Sequence, residues 1–346
     1  MNKKTSLKDI AKKAGVSTAT VSYVLSKKEN SGISKQVSQK IRKIAKELHY
    51  RPNQIAKSLQ SGKTFTLGLI VADISNPFFA HIARIIEDEA KKHRYSVIFG
   101  SSDENAAKSR DLIRLLANRQ VDGFIIAPTK DSQKEIQLLK KQNIPFVLID
   151  RHFPKIDTDY VGIDNHKAAY NATSRLIGTG NSKIGIIAYS TSLHHMQERI
   201  RGYRSALKEH DIAGEDTWIG KVDFLNVKEE VRGAMDRLLR GPQAVTAILF
   251  ATNTLAAHGL KYIKESGIQV PEDLSVIAFD ESDAFDFFYC PVTYVKQPLT
   301  KMGREAVKIL TGRIADPEKP AQQLILDAKV IVRKSCETSA TRLPIS

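Results

Sequence analysis

The sequence predicts an α/β protein in two parts, a small N-terminal three-helix bundle followed by two doubly wound lobes on parallel sheets. Three observations carry this prediction. Apolar residues recur at helical spacing between Ser6 and Leu48. From Thr66 onward, short Val, Ile and Leu runs alternate with amphipathic helical stretches, the βαβ pattern of a parallel sheet. Charge is also divided unevenly. Residues 1–62 hold fourteen Lys and Arg against three acids, a net +11, whereas the whole 346-residue chain carries +15.

The first helix is read from Leu7, Ile10, Ala11 and Ala14, one apolar stripe at i, i+3, i+4, i+7. Ser6 before it and Asp9 three residues later form a capping-box pattern. Gly15-Val16 breaks the period, and Ser17 can cap a second helix whose inward face is Val21, Val24 and Leu25. A third helix starts at Ser34, with Val37, Ile41, Ile44, Ala45 and Leu48 on one face. Two short helices joined by about four residues with a glycine make a helix-turn-helix. Any small bundle shows such stripes, but so much positive charge in under a fifth of the chain suits a phosphate-facing surface.

Strands of the first lobe are expected at 67–72, 96–100, 123–127 and 146–149, separated by helices at 77–93, 105–119 and 131–142. The strands are apolar throughout, as when both faces are covered. A second set runs through helix 165–177, strand 184–189, helix 195–210, a strand near 218–222, helix 227–239, strand 247–250, helix 254–266 and strand 274–279. The tail returns with strand 292–295, helix 298–311 and strands 323–326 and 330–333.

Ligands of open α/β sheets sit at the carboxyl ends of strands, so candidate residues are those that follow strands. Phe78 and Phe79 stand at a loop-to-helix junction, where they can stack on a ring or simply seal the lobe core. Asp150 and Asp280 each end a strand, as ligand contacts or as helix caps. Arg199 lies in a basic helical run that could be a solvated face. Phe224 could be core, and Asn253 could be only an N-cap.

Several classes are excluded. No apolar signal segment follows Met-Asn-Lys-Lys-Thr, and no run approaches the ~18 apolar residues of a membrane helix. Two cysteines, Cys290 and Cys336, are too few for a disulfide framework or thiolate zinc site and fit a reducing cytoplasm. Gly62-Lys63-Thr64 precedes a strand and lacks the first glycine of a phosphate loop. Gly178-Thr-Gly180 follows a helix, so it is a C-cap and turn. His194 and Glu198 are spaced i, i+4 without the second histidine of a metal helix, and no G-x-S-x-G appears. No enzymatic activity, metal or cofactor is expected.

Residues 6–25, Ser-Leu-Lys-Asp-Ile-Ala-Lys-Lys-Ala-Gly-Val-Ser-Thr-Ala-Thr-Val-Ser-Tyr-Val-Leu, resemble the reading head of the lac-repressor (LacI/GalR) family of bacterial transcription regulators. Residues 50–62, Tyr-Arg-Pro-Asn-Gln-Ile-Ala-Lys-Ser-Leu-Gln-Ser-Gly, resemble that family's hinge. The resemblance covers essentially the full length. It implies a DNA-facing set of Ser6, Ser17, Thr18, Ala19, Thr20, Ser22 and Tyr23 in the head and Asn53, Ala56 and Leu59 in the hinge, with Leu59 as a minor-groove wedge. Tyr23 stands where family members usually carry Arg, so guanine readout by a bidentate guanidinium is lost there.

The resemblance further implies a fold like periplasmic sugar-binding proteins, with chain crossings near Ile163–Asp164, Cys290–Pro291 and Ala321–Gln323. The head and hinge would then be residues 1–62 and the effector and dimerisation domain 63–346. Within the latter, the first lobe would take about 66–163 and 292–320, the second about 164–291 and 321–338. It implies effector contacts from Phe78, Phe79, Asp150, Arg199, Phe224, Asn253 and Asp280. Acid, guanidinium, amide and aromatic face together suit a sugar, whose hydroxyl edges and C–H face need both; a purine-like corepressor could use nearly the same set. The expected assembly is a homodimer on near-palindromic operator DNA, because the tail after Cys336 lacks the leucine heptad of tetrameric members. Whether effector releases or recruits the protein stays open.

Overall fold

The computed structural model describes residues 5–25, 32–50 and 62–337. The chain divides at Thr64–Phe65 into two compact units. The first holds helices α1 (Leu7–Ala14), α2 (Thr18–Leu25) and α3 (Lys35–Glu47). The Ser6 hydroxyl accepts from the Asp9 N–H while the Asp9 carboxylate accepts from the Ser6 N–H, closing the capping box. Gly15 ends α1 at φ +72°, a left-handed conformation that glycine adopts without Cβ strain. Ser17 accepts from the Thr20 N–H at 3.1 Å and Ser34 from the Val37 N–H at 3.3 Å, so each later helix also begins on a serine. Ile10, Val21, Val24, Ile41 and Ile44 meet in the bundle core.

The second unit contains two six-stranded sheets. Its elements are β1 (Thr66–Val71), α4 (Pro77–Lys92), β2 (Ser96–Ser101), α5 (Ala106–Asn118), β3 (Gly123–Ile126), α6 (Gln133–Lys141), β4 (Phe146–Ile149) and β5 (Tyr160–Ile163). Then come α7 (Asn165–Gly178), β6 (Ile184–Tyr189), α8 (His194–Glu209), β7 (Ile219–Val222), α9 (Val227–Leu239), β8 (Ala247–Phe250), α10 (Asn253–Glu265) and β9 (Ser275–Phe279). The chain closes with α11 (Ala284–Phe287), β10 (Thr293–Lys296), α12 (Leu299–Ala315), β11 (Gln323–Leu326) and β12 (Lys329–Ile331).

The first sheet runs β11-β5-β4-β3-β1-β2 and the second β12-β10-β9-β8-β6-β7. All neighbours are parallel except β12, which pairs antiparallel with β10. Both orders reverse beside the first strand of the lobe, between β1 and β3 and between β6 and β8. These are the switch points where open α/β sheets leave a crevice at the strand carboxyl ends.

The lobe limits inferred from sequence need correction. The strand at 293–296 does not open a return to the first lobe: Thr293 lies beside Ile277 in the second sheet. The strand at 323–326 belongs to the first sheet, with Gln323 beside Tyr160. The chain therefore crosses at 163–164, between Lys296 and Leu299, and between Leu326 and Lys329, and not at Cys290–Pro291 or Ala321–Gln323. Apolar periodicity finds a strand, but not the sheet that receives it. The sequence pattern assigns no strand to 160–163, where β5 lies.

Candidate DNA-reading face and effector cleft

On the head, Ser6, Ser17, Thr18, Ala19, Ser22 and Tyr23 are exposed and Thr20 is half-buried. Small, exposed side chains at the start of α2 suit close approach to a groove. Tyr23 is 48% exposed. Asn53, Ala56 and Leu59 lie outside the described residues.

In the second unit Asp150, Arg199, Asn253 and Asp280 come together from both lobes. Asp150 and Asp280 occupy equivalent places, each directly after the fourth strand of its lobe. Both are left-handed, at φ +66° and +69°. Aspartate tolerates that region better than most residues. Each N–H donates at 3.0 Å to the neighbouring strand, Asp150 to the Val161 carbonyl and Asp280 to that of Val295. The same local turn thus aims two buried carboxyl groups toward the lobe interface.

Arg199 is buried on α8. Its Nε donates to Asn165 Oδ1 at 2.8 Å, its Nη1 to the Ala251 carbonyl at 2.6 Å, and its guanidinium carbon lies 4.1 Å from the Phe279 ring centroid. Gly202 makes this possible. A Cβ there would lie 2.1 Å from the His166 carbonyl oxygen, so glycine lets α8 press against α7, whose first residue is Asn165. The solvated-face reading of Arg199 is excluded by this burial.

Asn253 donates to Asn76 Oδ1 at 2.9 Å, and Asn76 donates to the Thr254 hydroxyl at 3.3 Å, linking the two lobes beside their switch points. Asn253 is the first residue of α10, and Thr252 supplies the cap. Phe78 and Phe79 are both buried in the core, edge to face at 5.0 Å. Arg151 lies over the Phe79 ring at 5.6 Å. Phe224 is half-buried and stacks on Tyr189 at 3.8 Å, leaving a ring pair at the end of β6.

Sequence reasoning missed Arg151, Glu104, Asn165, His195 and Gln297. Arg151 makes two 2.7 Å bonds to Glu104, and its Nε is 3.3 Å from Asp150 Oδ2. Gln297 donates to Asp280 at 2.7 Å. Buried His195 Nδ1 and Gln297 Oε1 have no hydrogen-bond partner. The usable signal was position, since most of these follow a strand. Their pairings, such as Arg151 with a residue 47 positions earlier, had none.

Electrostatics follow from burial. Desolvation pushes Asp150 up to about 6, opposed by Arg151 and Arg199 and assisted by Asp280. Desolvation also raises Asp280 against the pull of Arg199 and the Gln297 hydrogen bond. His152 stacks on Tyr160 and meets His194 edge to face at 5.1 Å. Burial, then His194, lowers it to about 4. His195 falls well below its ordinary value through burial beside Arg151 and Arg199. Among the described residues no three His, Cys, Asp or Glu side chains are placed to hold a metal, and no helix is long and apolar enough to cross a membrane.

A helix-turn-helix bundle joined to a two-lobed sheet unit with a polar interlobe cleft defines a ligand-responsive DNA-binding regulator. Comparison with known proteins gives the same class. Residues 6–53 match the bacterial regulatory proteins of the lacI family, and residues 173–336 match a periplasmic binding protein-like domain. The chain is 31% identical to the ribose operon repressor of Haemophilus influenzae, over 95% of this chain and 98% of that one. It is 30% identical to the transcriptional repressor PurR of Photobacterium profundum, over the same shares of each. The solved complex of the transcriptional regulator CelR with cellobiose superposes with a TM-score of 0.71 at 28% identity, covering 96% of this chain and all of that one. The chain belongs to the lacI family of bacterial transcription regulators. It is a DNA-binding protein related to transcription regulators.

Proposed function

We propose that the protein is a homodimeric, cytoplasmic repressor whose operator affinity is set by a neutral sugar or sugar derivative bound between its lobes. One observation carries the effector class: two carboxyl groups, Asp150 and Asp280, reach the cleft from equivalent strand ends beside a stacked aromatic pair. Carboxylates accept sugar hydroxyls, and an aromatic face takes the C–H surface. His195 Nδ1 and Gln297 Oε1, buried without partners, add capacity for a hydroxyl-rich guest. The cellobiose complex of CelR and the ribose operon repressor support a sugar. PurR supports a second reading, a purine-like corepressor held by Asp280 and Arg199 against the Tyr189–Phe224 pair.

In this reading α2 enters the major groove through Ser17, Thr18, Ala19, Thr20, Ser22 and Tyr23, while Ser6 contacts backbone phosphate. Asn53, Ala56 and Leu59 act at the operator centre. A thermal-shift screen against neutral sugars, sugar phosphates and purines tests the effector class, because a ligand that binds only the native state raises apparent stability. A neutral sugar should raise Tm in the full-length chain and in Arg201→Ala, but not in Asp280→Ala. A Tm rise with purines alone would replace the sugar reading by the corepressor one.

A further inference from the structure

A cavity of about 490 Å³ opens at the edge of the lobe interface, apart from the Asp150–Arg199–Asp280 cluster. Lys130, in the loop after β3, supplies the first-lobe side. The second lobe supplies Ser190, Thr191 and Ser192 after β6, Arg204 from α8 and Lys221 from β7. No carboxylate lines it. Lys130 and Lys221 enter no ion pair among the described residues, and Arg204 meets only the exposed carboxylate of Asp216, at 2.7 Å.

The wall behind these cations is held in place. The Leu193 N–H donates to the Thr191 hydroxyl at 3.3 Å, and Gln197 donates to the Thr191 carbonyl at 2.5 Å. The Ser190 N–H is tied to the Val222 carbonyl at 2.7 Å. The exposed residues Ser190 and Ser192 therefore line the same cavity as the three cations. Three positive charges lining one cavity without a carboxylate among them raise the local potential for an anion. Ammonium, guanidinium and hydroxyl donors together suit a phosphoryl group, which accepts several charge-assisted hydrogen bonds.

The cleft cluster is of opposite character. Its two guanidiniums are already committed, Arg151 to Glu104 and Arg199 to Asn165 and the Ala251 carbonyl, and its two acids would repel an anion. Tyr189 lines the cavity and also stacks on Phe224, so the two regions adjoin without sharing a charged residue.

We propose that this cavity is a second ligand site, for a phosphate monoester or free phosphate, and that its occupancy draws Lys130 toward the second lobe and so favours lobe closure. It does not depend on which neutral molecule occupies the cleft. Isothermal titration of the full-length protein with inorganic phosphate, glucose 6-phosphate and glucose tests it. Glucose 6-phosphate should bind, and the double variant Lys130→Ala/Lys221→Ala should weaken it by about tenfold or more. Equal affinity for inorganic phosphate would assign the site to the free ion; tighter glucose 6-phosphate would assign it to the ester. Both substitutions are on exposed side chains, so the double variant should keep the wild-type Tm and its Tm shift with a neutral sugar. Unchanged affinity in the double variant would overturn the proposal, as would no binding of either phosphate at about 10 mM, a free energy below about 3 kcal/mol. If Asp280→Ala abolished glucose 6-phosphate binding while the double variant did not, the anion would sit in the cleft: the second site would fall and the cleft reading would stand.

Discussion

Asp150 and His152 stand two residues apart and respond to pH in opposite directions. Burial raises the Asp150 carboxyl from 3.8 to about 6, so its stabilising contribution is complete below pH 3.8 and is lost as pH rises through about 6. Burial lowers His152 from 6.5 to about 4, so its contribution is complete above pH 6.5 and is lost as pH falls through about 4. Between about pH 4 and 6 the two effects oppose each other and nearly cancel, so neither contribution is complete in mildly acid solution. Asp150→Asn isolates the first effect, because asparagine also tolerates φ +66°. It should raise stability at pH 7.5 by on the order of 1–3 kcal/mol, an amount reduced by the counter-charge that Arg151 loses. The gain should vanish near pH 3.8. Denaturant titrations at the two pH values decide it, and equal shifts at both would disprove a raised Asp150. At this scale the sequence was half legible. Asp150 and Asp280 were visible because each ends an apolar strand. Arg151, Glu104 and Asn165 were not, because the value of each lies in a partner far away in the chain.

At the scale of the element, the α7–α8 contact decides where Arg199 points. Gly202 lies one turn after Arg199, and its missing side chain admits the His166 carbonyl. In Gly202→Ala the two helices must separate, because the obstacle is backbone and cannot rotate away. Stability should fall by about 1–3 kcal/mol, as for overpacking that forces backbone shifts. Arg199 should also lose register with Asn165, so effector response should weaken more than folding does. Circular dichroism melts with titration of a neutral sugar check both. A variant with wild-type Tm would mean that α7 and α8 are not in such close contact. The boundaries of these elements were readable within a residue or two, since caps and apolar runs are local. Sheet membership was not. β10 and β11 are both short apolar strands, and nothing in either says that the first joins β9 and the second β5. That choice is made by α12, which lies between them in the chain and packs on α4 in the first lobe.

At the scale of the whole molecule, several large apolar side chains are exposed among the described residues. Edge strand β2 leaves Ile98 40% and Phe99 61% exposed, and Leu115 on α5 is 50% exposed. The second lobe leaves Leu225 89% and Phe287 88% exposed. An unprotected apolar edge strand invites association unless a partner covers it, and contiguous exposed hydrophobics mark interaction surfaces. In the homodimeric reading proposed above, a second copy of the chain is the partner that would cover this edge. Pairing would also strengthen operator binding. Once one head is bound, the second binds at high effective concentration, which raises affinity over that of a single head by about 10²–10⁴. Phe99→Glu places a charge on the β2 edge. It should shift the sedimenting species from dimer to monomer and weaken specific operator binding by about a hundredfold or more. Nonspecific DNA binding should persist with its salt dependence, because the basic residues of 1–62 are untouched. Sedimentation velocity and gel shifts at two salt concentrations measure both effects in one preparation. A monomeric variant with undiminished operator affinity would detach DNA recognition from pairing, and a variant still dimeric would place the interface away from β2.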